Sequence, residues 1–475
     1  MPQIVFNIDP LLAVADDPIS ATLFLIENGA WVIFLIFFFW VAKQLWYNHI
    51  WGSYVTKNLR PVLLAIDVPR RSIQTAKAVE NIFAHLAGAH GSSTRREAHL
   101  EGKIQEWFSL EIVSIDGYIQ FLAWTWDKYR DLVETAIYAQ YPDAQITEVE
   151  DYSKAVPHKY PDDEWDFWGT DFRFYAPQAY PIRTWPQFEH QGQKEEAFKD
   201  PLAAMLENMA RIAPGEQMWF QILVRPIAQD WQKESAKFVK KLIGAKVPEA
   251  KSIIDPFLNF GGKIIETVLA ETIGWGAGEP EVKRNEPESR MLHLSPGERA
   301  AVEAVDMKAA KIGFDVKVRA VYVGRKEVFK KQHGAHAVIG AIKQLNTNDL
   351  NGLKPDFKHS GPGSLFFFKS LRNNYRKTRL VNAYTARSMY VGGPTYVMNI
   401  EELATLWHFP TEAVHAPLIA KTVAKRAVPP TGLPMEAMRM PIEKKVSLVG
   451  GKTSDSDSEG KKRELKAPEE LPFVD

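Results

Sequence analysis

The chain has 475 residues, and its 58 Lys+Arg are balanced by 58 Asp+Glu, so the formal net charge is zero. That length allows two or three domains, and 45% hydrophobic with 24% charged residues is the composition of ordinary folded cores. Balanced charge argues against a strongly basic nucleic-acid binder, and the absence of Cys excludes disulfides, CxxC redox chemistry and thiolate metal sites.

Residues 1–24 carry Asp9, Asp16 and Asp17 but no Lys or Arg. Ala21–Ala42 then reads ATLFLIENGAWVIFLIFFFWVA, apolar without a break from Ala30. A spanning helix needs about 20 such residues, so the stretch predicts a transmembrane helix over 21–45. Trp31 on one side and Trp40, Trp46, Tyr47 and Trp51 on the other resemble interfacial aromatic belts. The basic residues Lys43, Lys57, Arg60, Arg70 and Arg71 follow the apolar run. The positive-inside rule then puts the N-terminus outside, and no basic stretch precedes the run to make it a cleaved signal. The expectation is a single-pass inner-membrane protein with a cytoplasmic body.

Pro61–Pro69 reads as a strand, and Arg71–Leu86 has a helical apolar period. Trp107–Ile115 and Tyr118–Trp126 read as strands joined by an Asp116-Gly117 turn. Asp127–Ala139 reads as a helix with Asp127 as its N-cap, and Gln145–Asp151 as a short strand. The order β-α-β-β-α-β is that of the ferredoxin-like split βαβ. Further on, Glu216–Pro226 (EQMWFQILVRP) and Gly313–Val323 (GFDVKVRAVYV) read as strands. Pro201–Ile212, Asp230–Ile243, Ser295–Ala310 and Arg325–Leu345 read as helices, the third opening on Ser295-Pro296. Ile253–Trp275, inside an insertion, has near-helical apolar spacing that suits a docking face, a membrane surface or a lid.

The predicted fold class is therefore α+β. An extracytoplasmic segment (1–20) and the transmembrane helix (21–45) precede a first ferredoxin-like module (60–155). A second such module (156–420) carries a helical insertion (245–289), and a polar, disordered tail (421–475) closes the chain.

Few motifs carry chemistry. Val449–Thr453 (VGGKT) lacks the Gly that a P-loop needs at position 446, which is Val. Asp455–Gly460 (DSDSEG) lacks the Glu that closes a calcium loop, where Lys466 stands. His333 and His336 share a helix face without a third ligand, and neither HExxH nor GxSxG occurs. No enzyme, cofactor or metal site is expected. The basic run Lys369, Arg372, Arg376, Lys377, Arg379 and Arg387, interleaved with Tyr375 and Tyr384, is a candidate contact for nucleic-acid phosphate or anionic lipid. Its plainer reading is a solvated face.

The last folded stretch, Tyr396–Pro410, reads YVMNIEELATLWHFP. Its Glu401, Glu402, Leu403, Trp407, His408, Phe409 and Pro410 resemble the closing motif of the N-terminal, non-motor regions of HerA/TraG-like conjugation ATPases. Similar regions occur in stand-alone membrane proteins of candidate-phyla bacteria. Glu216–Pro226, Gly313–Gly324, Ala341–Pro355 and the linker-like Pro429–Pro434 (PPTGLP) fit the same pattern in the same order. Fused members continue into the motor domain, whereas here only a polar tail without Walker motifs follows. The resemblance implies a membrane-anchored scaffold or adaptor of a type IV secretion- or conjugation-like machine. It would work with a separate P-loop ATPase, with membrane lipid as a further partner and homo-oligomerisation left open. The alternative is a membrane-bound nucleic-acid-binding protein using the 369–387 run.

Overall fold

A computed structural model describes Glu27 and residues 31–69, 74–189, 200–228, 230–243, 294–361, 363 and 367–410. The N-terminal segment 1–20, the insertion 245–289 with its Ile253–Trp275 stretch, and the tail with VGGKT and DSDSEG lie outside the described residues.

The first half contains helix α1 (Trp31–Asn58), β1 (Pro61–Asp67), α2 (Ala76–Leu86), β2 (Phe108–Ile115), β3 (Tyr118–Trp126), α3 (Arg130–Gln140) and β4 (Gln145–Glu148). The second contains β5 (Trp165–Phe174), α4 (Ala203–Ala210), β6 (Glu216–Pro226), α5 (Asp230–Leu242), α6 (Pro296–Ala309), β7 (Gly313–Arg325), α7 (Lys331–Lys343) and β8 (Leu353–Pro355). Helix α8 (Lys369–Thr385), β9 (Tyr396–Asn399) and α9 (Ile400–Leu406) follow.

Two expectations are corrected. The first is the transmembrane helix over 21–45: no helix among the described residues is long and apolar enough to cross a membrane. The apolar run within α1, Trp31–Ala42, is roughly 18 Å long at 1.5 Å per residue, against about 30 Å of hydrocarbon. Beyond Lys43 the helix packs on the body. Tyr47 Oη meets His99 Nδ1 at 3.0 Å, Trp51 stacks on Tyr390 at 6.1 Å, and Ile50 is buried. Tyr47 and Trp51, read as part of an interfacial belt, are thus packing residues. The single-pass inner-membrane localisation, N-terminus outside, rested on this span and is corrected with it.

The second correction concerns the two ferredoxin-like modules. The strands form one nine-stranded sheet in the order β4-β1-β3-β2-β6-β7-β5-β8, with β9 added beside β7. Every pairing is antiparallel. Across the expected boundary, β2 and β6 pair in register from Phe108↔Val224 to Ile115↔Gln217. Both strands are almost wholly buried, so separating them would leave two long apolar edges with unpaired backbone groups. Counted from its own first strand, each half runs fourth-first-third-second. The halves therefore repeat one threading but share a single sheet.

Alternation along the strands makes two cores. On β7, Phe314, Val316, Val318, Ala320 and Tyr322 face the first core, and Val321 and Val323 the second. The first core is covered by α2, α3, α4, α7 and α9. The second lies under α8, which supplies Leu380, Val381 and Tyr384 against Trp107, Trp124, Trp126 and Trp219.

Local signals account for several element ends. Asp116 (φ 53°) and Gly117 (φ 86°) make the tight β2–β3 turn, whose two positive φ values match a type I′ hairpin. Ser295 and Glu298 form a reciprocal capping box on α6, with Pro296 at its first turn. Asp127 does not cap α3 with its side chain. It opens a 3₁₀ turn, Asp127–Tyr129, before the helix begins at Arg130.

Candidate functional site

The second face of the four adjacent strands β2, β6, β7 and β5 carries a polar row where an apolar one would be expected. Glu111 on β2 stands opposite Gln221 on β6, Gln221 opposite Arg319 on β7, and Arg319 opposite Asp171 on β5. All four side chains are excluded from solvent. Gln221 Nε2 donates to Glu111 Oε1 at 2.9 Å, and Arg319 Nε donates to Asp171 Oδ1 at 2.6 Å. Buried charges persist when they are paired and their remaining hydrogen-bonding capacity is met, and here the covering helix meets it.

The row holds the C-terminal end of α8 and the segment after it. Arg319 Nη1 donates to the carbonyl of Ala383 at 2.8 Å, and its Nη2 to that of Val391 at 2.9 Å. Gln221 reaches the carbonyl of Tyr384 at 3.2 Å. Lys317 donates to the carbonyls of Met389 and of Val391, the latter at 3.1 Å. The last carbonyls of a helix lack intrahelical partners and carry partial negative charge, so cationic donors suit this end. Asp171 Oδ2 accepts the backbone N–H of Gly393 at 2.7 Å, which ties down the far side of the segment.

Arg387 completes the clamp from the helix side. It sits in left-handed conformation (φ 46°), turned back into the core. Its Nε lies 3.1 Å from Glu111 Oε1, and its Nη2 lies 3.1 Å from Asp151 Oδ1. Burial works against the guanidinium's charge, but Glu111 and Asp151 outweigh it and raise its pKa well above the usual value. Burial likewise opposes the charge on Asp151, and Arg387 overcomes it, leaving that carboxyl below its usual range. Tyr152 and Tyr384 share a hydrogen bond of 2.7 Å, and Tyr152 also donates to Glu111 at 2.8 Å. Burial first, then the nearby Glu111, pushes both phenols well above their ordinary pKa.

The basic run named from sequence divides in two. Arg387 is buried in the clamp, Lys377 pairs with Asp166, and Arg376 Nη1 donates to the carbonyls of Gly361 (3.1 Å) and Gly363 (2.6 Å). Lys369, Arg372 and Arg379 are exposed, and their side chains make no hydrogen bond or ion pair among the described residues. Beside them the same outward side carries Phe367 (86% exposed), Phe368 (76%), Leu371 (67%) and Tyr375 (67%).

The closing motif is structural throughout. Asn399 Oδ1 accepts the N–H of Glu402 at 2.9 Å, and Glu402 Oε2 accepts that of Asn399 at 3.0 Å, a capping box that opens α9. Glu402 is buried and pairs with the equally buried Lys308 at 3.0 Å. Burial lowers the pKa of Lys308, with Glu402 opposing. Glu401 pairs with Lys311, and Leu403 is fully buried. His408 Nε2 meets Asp200 Oδ1 at 2.9 Å, and its Nδ1 meets the Ala404 carbonyl at 2.8 Å. Trp407 and Phe409 pack on Phe121 at 6.0 and 5.2 Å, and half-buried Pro410 ends the described stretch.

Sequence reasoning missed Glu111, Gln221, Arg319 and Asp171. The available signal was a polar residue at one strand face in each of four strands. His333 and His336 are both exposed on α7, and among the described residues no three His, Asp or Glu side chains converge to hold a metal.

No curated protein matches the chain. The domain of unknown function DUF8128 matches residues 94–422, which run from before β2 to beyond α9. That match covers well over half of the sequence and contains the whole clamp and the closing motif, so the chain belongs to the DUF8128 family.

Proposed function

We propose that this chain is a non-catalytic docking component, an adaptor that works with a separately encoded P-loop ATPase in a type IV secretion- or conjugation-like machine. The observation that carries the reading is the outward side of α8. Leu371 and Tyr375 stand exposed beside Arg372 and Arg379 on a helix whose inner side is clamped to the sheet, and Phe367 and Phe368 stand exposed just before its first turn. Exposed aromatics with arginine are the composition of protein–protein contact centres. A rigid helix also lowers the ordering cost of binding. The nature of the partner comes from the resemblance to the non-motor regions of HerA/TraG-like ATPases.

The alternative, nucleic-acid binding through the 369–387 run, draws on the same aromatics as stacking platforms. It is the weaker reading, because Lys377 and Arg387 within the run are paired with carboxylates inside the molecule and unavailable for phosphates. The test is a photo-crosslinking residue at Leu371 in the native host, with exposed Met307 on α6 as control. The adaptor reading expects a P-loop ATPase crosslinked from Leu371 and not from Met307. Crosslinks to nucleic acid alone, or equal products from both positions, would sink it.

A further inference from the structure

Next to the outward stripe, the C-terminal half of α8 borders a shallow cleft, open to solvent and lined by His359, Ser360, Arg376, Arg379, Leu380 and Gly392. Its floor is closed. Leu380 is buried, and Ser360 Oγ is engaged, accepting from the N–H of Asp171 at 2.7 Å and donating to the Asp356 carbonyl at 3.0 Å.

The rim has binding capacity left over. His359 Nδ1 meets Asp356 Oδ2 at 2.7 Å, which orients the ring and leaves Nε2 for a ligand. Arg376 is fixed through Nη1 alone, which leaves its Nη2 and Nε. Arg379 makes no side-chain bond among the described residues. The nearest carboxylates are occupied: Asp356 by His359 and, at 3.8 Å, by Arg173, and Asp171 by Arg319 and the Gly393 N–H. Arg376, Arg379 and His359 therefore line one cleft whose neighbouring acids are already paired.

We propose that this cleft takes one carboxylate, from an Asp or Glu side chain of the protein that docks on the stripe formed by Phe367, Phe368, Leu371 and Tyr375. The proposal rests on the docking reading above. Tyr375 and Arg379 are four apart on one helix, so a partner packed over the tyrosine reaches the cleft. Guanidinium forks match the geometry of a carboxylate and bind it bidentately. A nucleic-acid backbone would instead need an unbroken row of free cations, whereas Lys377 and Arg387 of this run are paired inside the molecule.

The test uses the full-length chain and has two arms. In the first, affinity for the partner crosslinked from Leu371 is measured with Arg379→Glu. The expected loss is about tenfold or more, restored when the partner's nearest acidic residue is reversed to Arg. An affinity unchanged within about twofold, with the Leu371 crosslink intact, overturns the cleft and leaves the docking reading standing. The second arm needs no partner. Modification of Arg379 by phenylglyoxal is followed by peptide mass spectrometry, with a glutamate decapeptide or an oligothymidylate of equal charge as protectant. Selective slowing by the glutamate peptide supports the proposal. Protection by neither, or stronger protection by the oligonucleotide, overturns it.

Discussion

Arg387 and Glu111 lie 276 positions apart in the chain, yet their side chains meet at 3.1 Å with both excluded from solvent. This pair joins the end of α8 to the second strand of the sheet. It is one of the buried contacts through which the C-terminal part of the fold depends on the N-terminal part.

Removing one partner of such a pair leaves a buried charge without its counter-ion. Arg387→Met is expected to destabilise the protein by about 3–5 kcal/mol in urea unfolding. Arg387→Lys should recover little of this, because an ammonium cannot bridge Glu111 and Asp151 as the planar fork does. The double variant Arg387→Met with Glu111→Gln should lose less than the sum of the singles. Strict additivity would contradict the coupling.

Burial pushes the Lys317 ammonium down to about 8 from its ordinary 10.5, with Asp171 opposing. Between these values the unfolded chain binds a proton that the folded chain has released. Stability should therefore rise with pH across that window, and this contribution is flat below it. The rise amounts to at most about 3 kcal/mol. Unfolding of wild type and Lys317→Met from pH 7 to 10 tests this, since the difference isolates Lys317. Parallel curves would refute it.

The Asn399–Glu402 capping box and the Lys308–Glu402 pair predict two different magnitudes. Asn399→Ala should cost about 1 kcal/mol, the usual loss of an N-cap. Glu402→Leu should cost about 3–5 kcal/mol, because the Lys308 charge stays buried and unpaired. Adding Lys308→Met to Glu402→Leu should return much of that loss. Failure of the second substitution to rescue thermal stability would argue against the ion pair as the cause.

Gly392 has φ 104°, and a Cβ there would collide with the Asp171 carboxylate. Gly392→Ala is expected to release the segment between α8 and β9 from the sheet, because the residue must both leave the left-handed region and push Asp171 aside. Hydrogen exchange should show faster exchange at the Gly393 amide while the β2–β3 hairpin keeps its protection. Unchanged protection at Gly393 would contradict the clamp.

The two sides of α8 should respond in opposite ways. Lys369→Glu with Arg372→Glu should change stability by no more than about 0.5 kcal/mol, as exposed substitutions do. The same double variant should abolish the Leu371 crosslink. A large loss of stability, or an unaffected crosslink, would mean that this side is not a docking surface.

Much of the secondary structure was legible from periodicity and local chemistry. Tyr118–Trp126 and Glu216–Pro226 are strands at the bounds that their patterns predicted, and Ser295-Pro296 marks the start of α6. The aromatic cluster after the apolar run misled. Trp51 is amphipathic enough to suit either a membrane interface or a protein surface, and only its contact with Tyr390 decides between them.

The sequence by itself determined where most of the strands and helices of the first half and the strands Glu216–Pro226 and Gly313–Arg325 lie, because alternation and capping act within a few residues. Tertiary structure alone decided how many sheets those strands make and what their polar residues do. Glu111, Gln221, Arg319 and Asp171 alternate with apolar neighbours, a pattern that along one strand means a face turned to water. It becomes a buried clamp only because α8, far along the chain, closes over that face and supplies the carbonyls that the charges need. Sequence periodicity records which side of a strand is polar. Whether water or another element covers that side depends on residues hundreds of positions away.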